Sequence, residues 1–219
     1  MKTPFFNRTE AGKFLAENLG AYVNRDDVII LALPRGGMPV AAEIAKRLNA
    51  PLDVFVVRKL GVPYHPELAM GAIASGGVRV VNRDVVDALR IPDLVADAVA
   101  AQEQEELARR ERLYRDDLPP PDVKAKTVVL VDDGIATGST MLAAISALRQ
   151  LDAARIVVAA PVIAGSTYYQ MRRAADDVAA VVVPEKFYGV GQFYEDFSQT
   201  TDDEVRQLLS SARRRAVPA

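Results

Sequence analysis

Residues 128–140 read V-V-L-V-D-D-G-I-A-T-G-S-T. Val128 to Val131 is a short continuous apolar run, as expected of a strand buried on both faces. Two acids follow, Asp132 and Asp133, and then a loop of small and hydroxylated residues. Helical spacing begins at Ser139 and runs to about Gln150. If the loop opens that helix, its N–H groups and the helix dipole favour an anion. Small residues such as Ala136 and Gly138 let the backbone approach a ligand closely. Thr137, Ser139 and Thr140 add hydroxyl donors. A P-loop would need a lysine before Ser139; Gly138 stands there, so the nucleoside-triphosphate motif fails.

One phosphate is the natural guest for this loop. Asp132 and Asp133 would repel a phosphate laid directly on them. They suit a neutral group rich in hydroxyls a few ångströms away, and a ribose fits. Taken alone, Asp-Asp-Gly is as well explained by an exposed turn after a buried strand.

The rest of the chain supplies a frame for that loop. Val28 to Leu33, Asp53 to Val57, Arg155 to Ala160 and Val178 to Val183 are further apolar strand candidates. Helical segments are expected at 10–23 (capped by Thr9), 40–48, 93–115 and 202–213. G-A-I-A-S-G-G-V-R-V-V-N (71–82) would form a hairpin around Ser75-Gly76-Gly77. In helix 93–115 the pairs Glu105–Arg109, Glu106–Arg110 and Glu111–Arg115 have the spacing of a solvated face. About five strands separated by helices predict an α/β fold with an open, mainly parallel sheet. In such a sheet ligands sit outside the carboxyl ends of the strands. P-R-G-G (34–37), Arg58-Lys59 and the 132–140 loop all fall there.

Composition narrows the function. Lys and Arg number 27 against 29 Asp and Glu, a formal charge of −2, which argues against nucleic acid as a partner. Without cysteine there are no disulfides or thiolate metal sites, and a single histidine, His65, makes a His-rich metal site untenable. The N-terminus lacks the apolar core of a signal peptide and no apolar run reaches membrane-spanning length. The expectation is a cytoplasmic protein without membrane contact. Asn7-Arg8-Thr9 matches a glycosylation sequon, read as chance.

V-V-L-V-D-D-G-I-A-T-G-S-T resembles the signature of the type I phosphoribosyltransferases, which bind 5-phosphoribosyl 1-pyrophosphate (PRPP). The resemblance implies that Asp132 and Asp133 hold ribose hydroxyls. Gly134, Ala136, Thr137, Gly138, Ser139 and Thr140 would line the PRPP site, the last five wrapping the 5′-phosphate. L-P-R-G-G-M (33–38) is similar to the family's pyrophosphate loop. There Arg35, Gly36 and Gly37 would face pyrophosphate, with a non-proline cis peptide near Arg35. V-V-R-K-L-G-V-P-Y-H-P-E-L (56–68) looks like the start of the mobile catalytic loop. Arg58 and Lys59 would then neutralise pyrophosphate, and a loop over 59–76 would close on the site. His65 reads equally as a loop histidine or a surface one, and Glu67 is a further candidate. V-V-V-P-E-K-F-Y-G-V-G-Q-F-Y-E-D-F (181–197) is similar to the hood of hypoxanthine-guanine enzymes. By that match Phe187 stacks on a base, Tyr188 reads it through its main chain, and Glu195 or Asp196 reaches magnesium. The same cluster reads otherwise as aromatic packing within a small sub-domain.

One position departs from the pattern. Purine enzymes of this class carry an Asp where Ala136 stands, and alanine cannot carry a proton to the ring. The overall expectation is one domain over 1–219, with a helical insertion at 84–120 and a hood at 184–200. It would use PRPP and Mg2+, with Asp132, Asp133, Glu195 and Asp196 near the metal. The acceptor would be a nitrogenous base, pyrophosphate would leave, and a homodimer is the default assembly. The alternatives are a non-catalytic PRPP-sensing regulator or a generic phosphosugar-binding domain.

Overall fold

A computed structural model describes residues 4–116 and 118–216. In chain order the elements are α1 (Arg8–Glu17), β1 (Val28–Ala32), α2 (Gly37–Leu48), β2 (Leu52–Val54), β3 (Val57–Val62), β4 (His65–Ala74) and β5 (Val78–Val81). They continue as α3 (Arg83–Ala88), α4 (Asp93–Arg115), β6 (Thr127–Val131), α5 (Ser139–Gln150), β7 (Arg155–Val162), α6 (Gly165–Ala174), β8 (Asp177–Val182) and α7 (Asp202–Ala216). Five strands form a parallel sheet in the order β2-β1-β6-β7-β8. The sheet is as the apolar runs predicted, and every residue of β1 and β6 is buried.

Alternation along these strands feeds two cores. Ile30, Ala32, Val129 and Val131 face α1, α2 and α7, meeting Leu15, Ile44 and Leu209. Ile29, Leu31, Val128 and Leu130 face α5 and α6, meeting Ile145, Leu148 and Met171. Covered on both faces, the sheet needs nearly continuous apolar strands, which is what the sequence has. The chain runs outward from β1 to β2 in one direction and from β6 through β7 to β8 in the other. The switch point therefore lies between β1 and β6, the place where open parallel sheets bind ligands at the carboxyl ends of their strands.

Residues 57–81 form a second sheet, β3-β4-β5, which is antiparallel and serves as the hood. The hood was expected at 184–200 and a loop over 59–76; strands β3 and β4 occupy the second of these stretches. Leu60, Val62, Met70 and Ile73 point to one face and bury against α3 and α4, which gives the segment its own core. Its periodicity is disturbed by register shifts at Leu60/Gly61 and Gly61/Val62. The Ser75-Gly76-Gly77 turn falls where the sequence put it, with φ of 83° and 75° at the two glycines.

Two local expectations change. The cap of the first helix is Asn7, whose side chain accepts from the Glu10 N–H at 3.0 Å. The helix therefore starts at Arg8, not after Thr9, and ends at Glu17 rather than near Val23. Helix α4 spans the predicted residues, but Arg115 is not on a solvated face: it is 1% exposed. Its guanidinium meets Glu111 at 2.8 Å and Asp53 at 2.9 Å, and donates to the Val54 carbonyl. Arg109 pairs with Glu106 at 2.6 Å instead of with Glu105. Among the described residues no helix is long and apolar enough to cross a membrane.

Candidate functional site

Two helices start at this switch point, and neither start carries a capping side chain. Helix α2 begins from Gly36 and α5 from Gly138, and no side chain bonds either first turn. Helix α5 leaves its first N–H groups for an outside acceptor, whereas in α2 the Gly37 and Met38 N–H groups already donate to the Leu33 and Arg35 carbonyls and Pro39 has none, so α2 offers the positive end of its dipole. Gly138 has φ +75°, a left-handed conformation that glycine adopts without penalty. Thr137 and Ser139 place their hydroxyl oxygens 3.3 Å apart on the exposed side of the loop. Thr167 of α6 donates to the Ala136 carbonyl at 2.5 Å and fixes the loop from behind.

The loop after β1 meets the loop after β6 directly. A Cβ on Gly36 would overlap the Asp133 carboxylate, and one on Gly37 would lie 2.6 Å from the Val131 carbonyl. The peptide between Pro34 and Arg35 is cis, at the place expected from the sequence. The Arg35 guanidinium lies 3.8 Å from Asp202 at the start of α7, and the Tyr114 hydroxyl donates to the same carboxylate at 2.6 Å.

The acids sit between these loops. Asp132 accepts the Asp133 N–H at 2.9 Å. Burial pushes its carboxyl well above the usual carboxylate range, and the neighbouring Asp133 adds to the effect. Burial raises Asp133 as well, against the Arg8 guanidinium, which favours its ionised form. Arg8 Nε stands 2.7 Å from Asp133 Oδ2, with only 11% and 13% of the two side chains exposed. The Tyr194 hydroxyl donates to the Asp133 carbonyl at 2.6 Å. Burial, and then the Asp133 charge, raise the Tyr194 phenol far above its ordinary value. A sheet edge that combines an open helix start with two neighbouring, partly buried acids has the marks of a ligand site.

The phosphoribosyl transferase domain profile matches residues 7–198. The chain belongs to the phosphoribosyl transferase family. It is 45% identical over 210 residues to a Mycobacterium tuberculosis (strain H37Rv) protein provisionally named a phosphoribosyl transferase. That match covers 96% of this chain and 47% of the other protein, so the chain spans about half the length of the curated relatives it matches. Among solved structures, TT1426 from Thermus thermophilus is 39% identical with a TM-score of 0.84, over 94% of this chain and 98% of that one. The AQ2163 protein from Aquifex aeolicus, 12% identical with a TM-score of 0.51 over 86% and 85% of the two chains, shares the fold alone.

In this phosphoribosyl transferase domain the expected site residues are not all brought together. Strand alternation separates Arg58 from Lys59. Arg58 shares the face of Leu60 and Val62 and pairs with Glu103 of α4 at 2.7 Å. Lys59 points to the opposite face and lines a cavity of about 530 Å³ with Ser139, Asn82 and Leu142. His65 is exposed at the hairpin tip beside Tyr64, which is 99% exposed. The Glu67 side chain lies outside the described residues.

The 184–200 segment packs on the chain's start. Phe5 bridges to Tyr194, and the Glu195 and Asp196 N–H groups donate to the Phe5 and Phe6 carbonyls. Phe187 stacks on Phe193 at 6.0 Å within this cluster, whereas Tyr188 is 87% exposed. Asp196 accepts the Ser198 N–H at 2.9 Å, a bond that holds its carboxyl below the usual range. Among the described residues no group of three or more acids and histidines gathers to hold a metal. Asp132 and Asp133 therefore stand apart from Glu195 and Asp196 as metal donors. Sequence reasoning missed Arg8 and Tyr194. Arg8 is 125 residues from its partner, and nothing local signals that contact.

Proposed function

We propose that this domain binds PRPP between the ends of β1 and β6 and transfers its phosphoribosyl group to a nitrogen nucleophile, releasing pyrophosphate. The observation that supports it is the meeting of the open α5 start, the positive end of the α2 dipole and an acidic pair at one switch point. The start of α5 takes the 5′-phosphate through the N–H groups and hydroxyls of 137–140. The start of α2, with Arg35, takes pyrophosphate. Asp132 and Asp133 accept hydrogen bonds from the ribose hydroxyls lying between.

In the reaction the bond from C1′ to the pyrophosphate oxygen breaks and a bond from C1′ to nitrogen forms. Negative charge grows on pyrophosphate and positive charge on the ribose ring. Preorganised donors where charge develops are the main catalytic tool. Lys59 is the better placed of the Arg-Lys pair, since it lines a cavity with Ser139. The partly buried acids lie beside the ribose and favour positive charge on it. Arg58, held by Glu103, braces the hairpin that carries Lys59. No side chain acts as a nucleophile, and Ala136 offers no proton carrier, which disfavours acceptors that need one.

Magnesium fits this site as a companion of the substrate. Mg2+ is commonly held by one or two carboxylates plus substrate phosphates, and Asp132 and Asp133 supply that number. When bound, it would neutralise pyrophosphate.

The test is pyrophosphate release from PRPP and Mg2+ across purines, pyrimidines and orotate. Release with at least one nitrogen base is the expected result. Binding of PRPP without release for any of them would instead mark a sensor.

A further inference from the structure

We propose that Arg8 is a positioning residue: it fixes the Asp133 carboxylate and ties it to residues 194–198, so that the ribose clasp and the aromatic segment beside it move as one unit. The inference rests on the ribose placement proposed above.

Arg8 is committed in three directions. Its Nε meets Asp133 Oδ2 at 2.7 Å, and its Nη1 donates to the Ser198 carbonyl at 2.6 Å. Its guanidinium carbon lies 3.9 Å from the Phe197 ring centroid and 6.0 Å from that of Tyr194. Only a planar fork can stack on a ring while donating to two acceptors in different directions, so lysine is no equivalent. Asp133 is held from the other sides by Gly36, where no side chain fits, and by the Tyr194 hydroxyl on its carbonyl.

The pairing does not block the site. An ionised carboxylate offers about four acceptor positions. Arg8 takes one on Oδ2, and Oδ1 is left for a ligand hydroxyl. Arg8 is also badly placed for its own helix. It occupies the first turn of α1, where the dipole disfavours a cation. A residue that costs its helix and is engaged across 125 positions of chain is there for the distant partner.

The experiment compares wild type, R8K, R8Q and F197L by calorimetric titration with PRPP–Mg2+, and separately with inorganic pyrophosphate in the absence of Mg2+. R8Q should weaken PRPP binding by about tenfold, ~1.4 kcal/mol. Metal-free pyrophosphate, which has no cation to link it to Asp133, should bind as it does to wild type. R8K should recover part of the loss, and F197L, which keeps the ion pair but removes the ring, should fall between. R8K and F197L carry the test if R8Q does not fold. Unchanged PRPP affinity in all three variants overturns the proposal. An equal loss for both ligands also overturns it, because that marks general damage. Wild type that binds pyrophosphate but not PRPP would instead overturn the ribose site itself, and the role of Arg8 with it.

Discussion

Replacing Arg115 with methionine keeps most of the side-chain volume and removes the charge. Arg115 is 1% exposed, while its partners Asp53 and Glu111 keep 15% and 19% of their side chains accessible. The variant strands two carboxylates and the Val54 carbonyl, all of which Arg115 now satisfies. Breaking a buried ion pair by removing one partner costs about 3–5 kcal/mol. Partial water access to both acids places this case at the lower end, about 3 kcal/mol. For a chain of this size each kcal/mol moves the melting midpoint by roughly 2–4 °C, so a fall of about 6–12 °C is expected. Urea denaturation with linear extrapolation reads the free energy directly. The loss should persist in about 1 M salt, because screening acts weakly on buried charges. Adding D53N and E111Q to R115M should restore part of the stability, since no unpaired charge then remains. A loss below about 1 kcal/mol, or one that salt abolishes, would mean that water solvates the cluster and that α4 is held by apolar packing alone.

Three further outcomes follow from the site. Asp132 has its carboxyl raised by burial, so between the unfolded value and the raised one the folded state binds the extra proton, and stability falls as pH rises through that window. D132N keeps the acceptor for the Asp133 N–H and should be more stable than wild type at neutral pH, by about 0.5–2 kcal/mol, with the gain shrinking as pH falls toward 4; urea titrations at several pH values check the sign. K59M should lower kcat/KM for PRPP at least about tenfold with little change in melting, whereas R58M should lower the melting temperature through the loss of its bond to Glu103; the reverse pattern in paired kinetic and thermal assays would contradict the alternation. G36A forces a methyl onto the Asp133 carboxylate and should weaken PRPP binding by more than it lowers stability, an overpacking cost of about 1–3 kcal/mol; equal PRPP affinity would show that the two loops separate freely.

The sheet was legible in the sequence because strands buried on both faces have little choice but to be apolar runs, as Val128–Val131 and Val28–Ala32 are. The start of α5 was legible for the same reason: Gly138 and the small residues before it leave few alternatives. Of the antiparallel sheet of 57–81 only the β4–β5 hairpin was legible, at its Gly-Gly turn; the β3–β4 pairing was not, because glycines and register shifts break the two-residue alternation. Arg115 was misread since i,i+4 spacing is identical on a solvated face and in a buried cluster. Arg8, Tyr194 and the Gly36–Asp133 contact depend on segments that meet only after folding. No periodicity within the chain encodes such a meeting.

Calorimetric titration of PRPP–Mg2+ into wild type and into D132N/D133N bears most directly on the ribose site. Saturable one-to-one binding by the wild type, lost in the double variant while metal-free inorganic pyrophosphate still binds both, is the expected result. Equal PRPP affinity in the two proteins would contradict the placement of the sugar on the acidic pair.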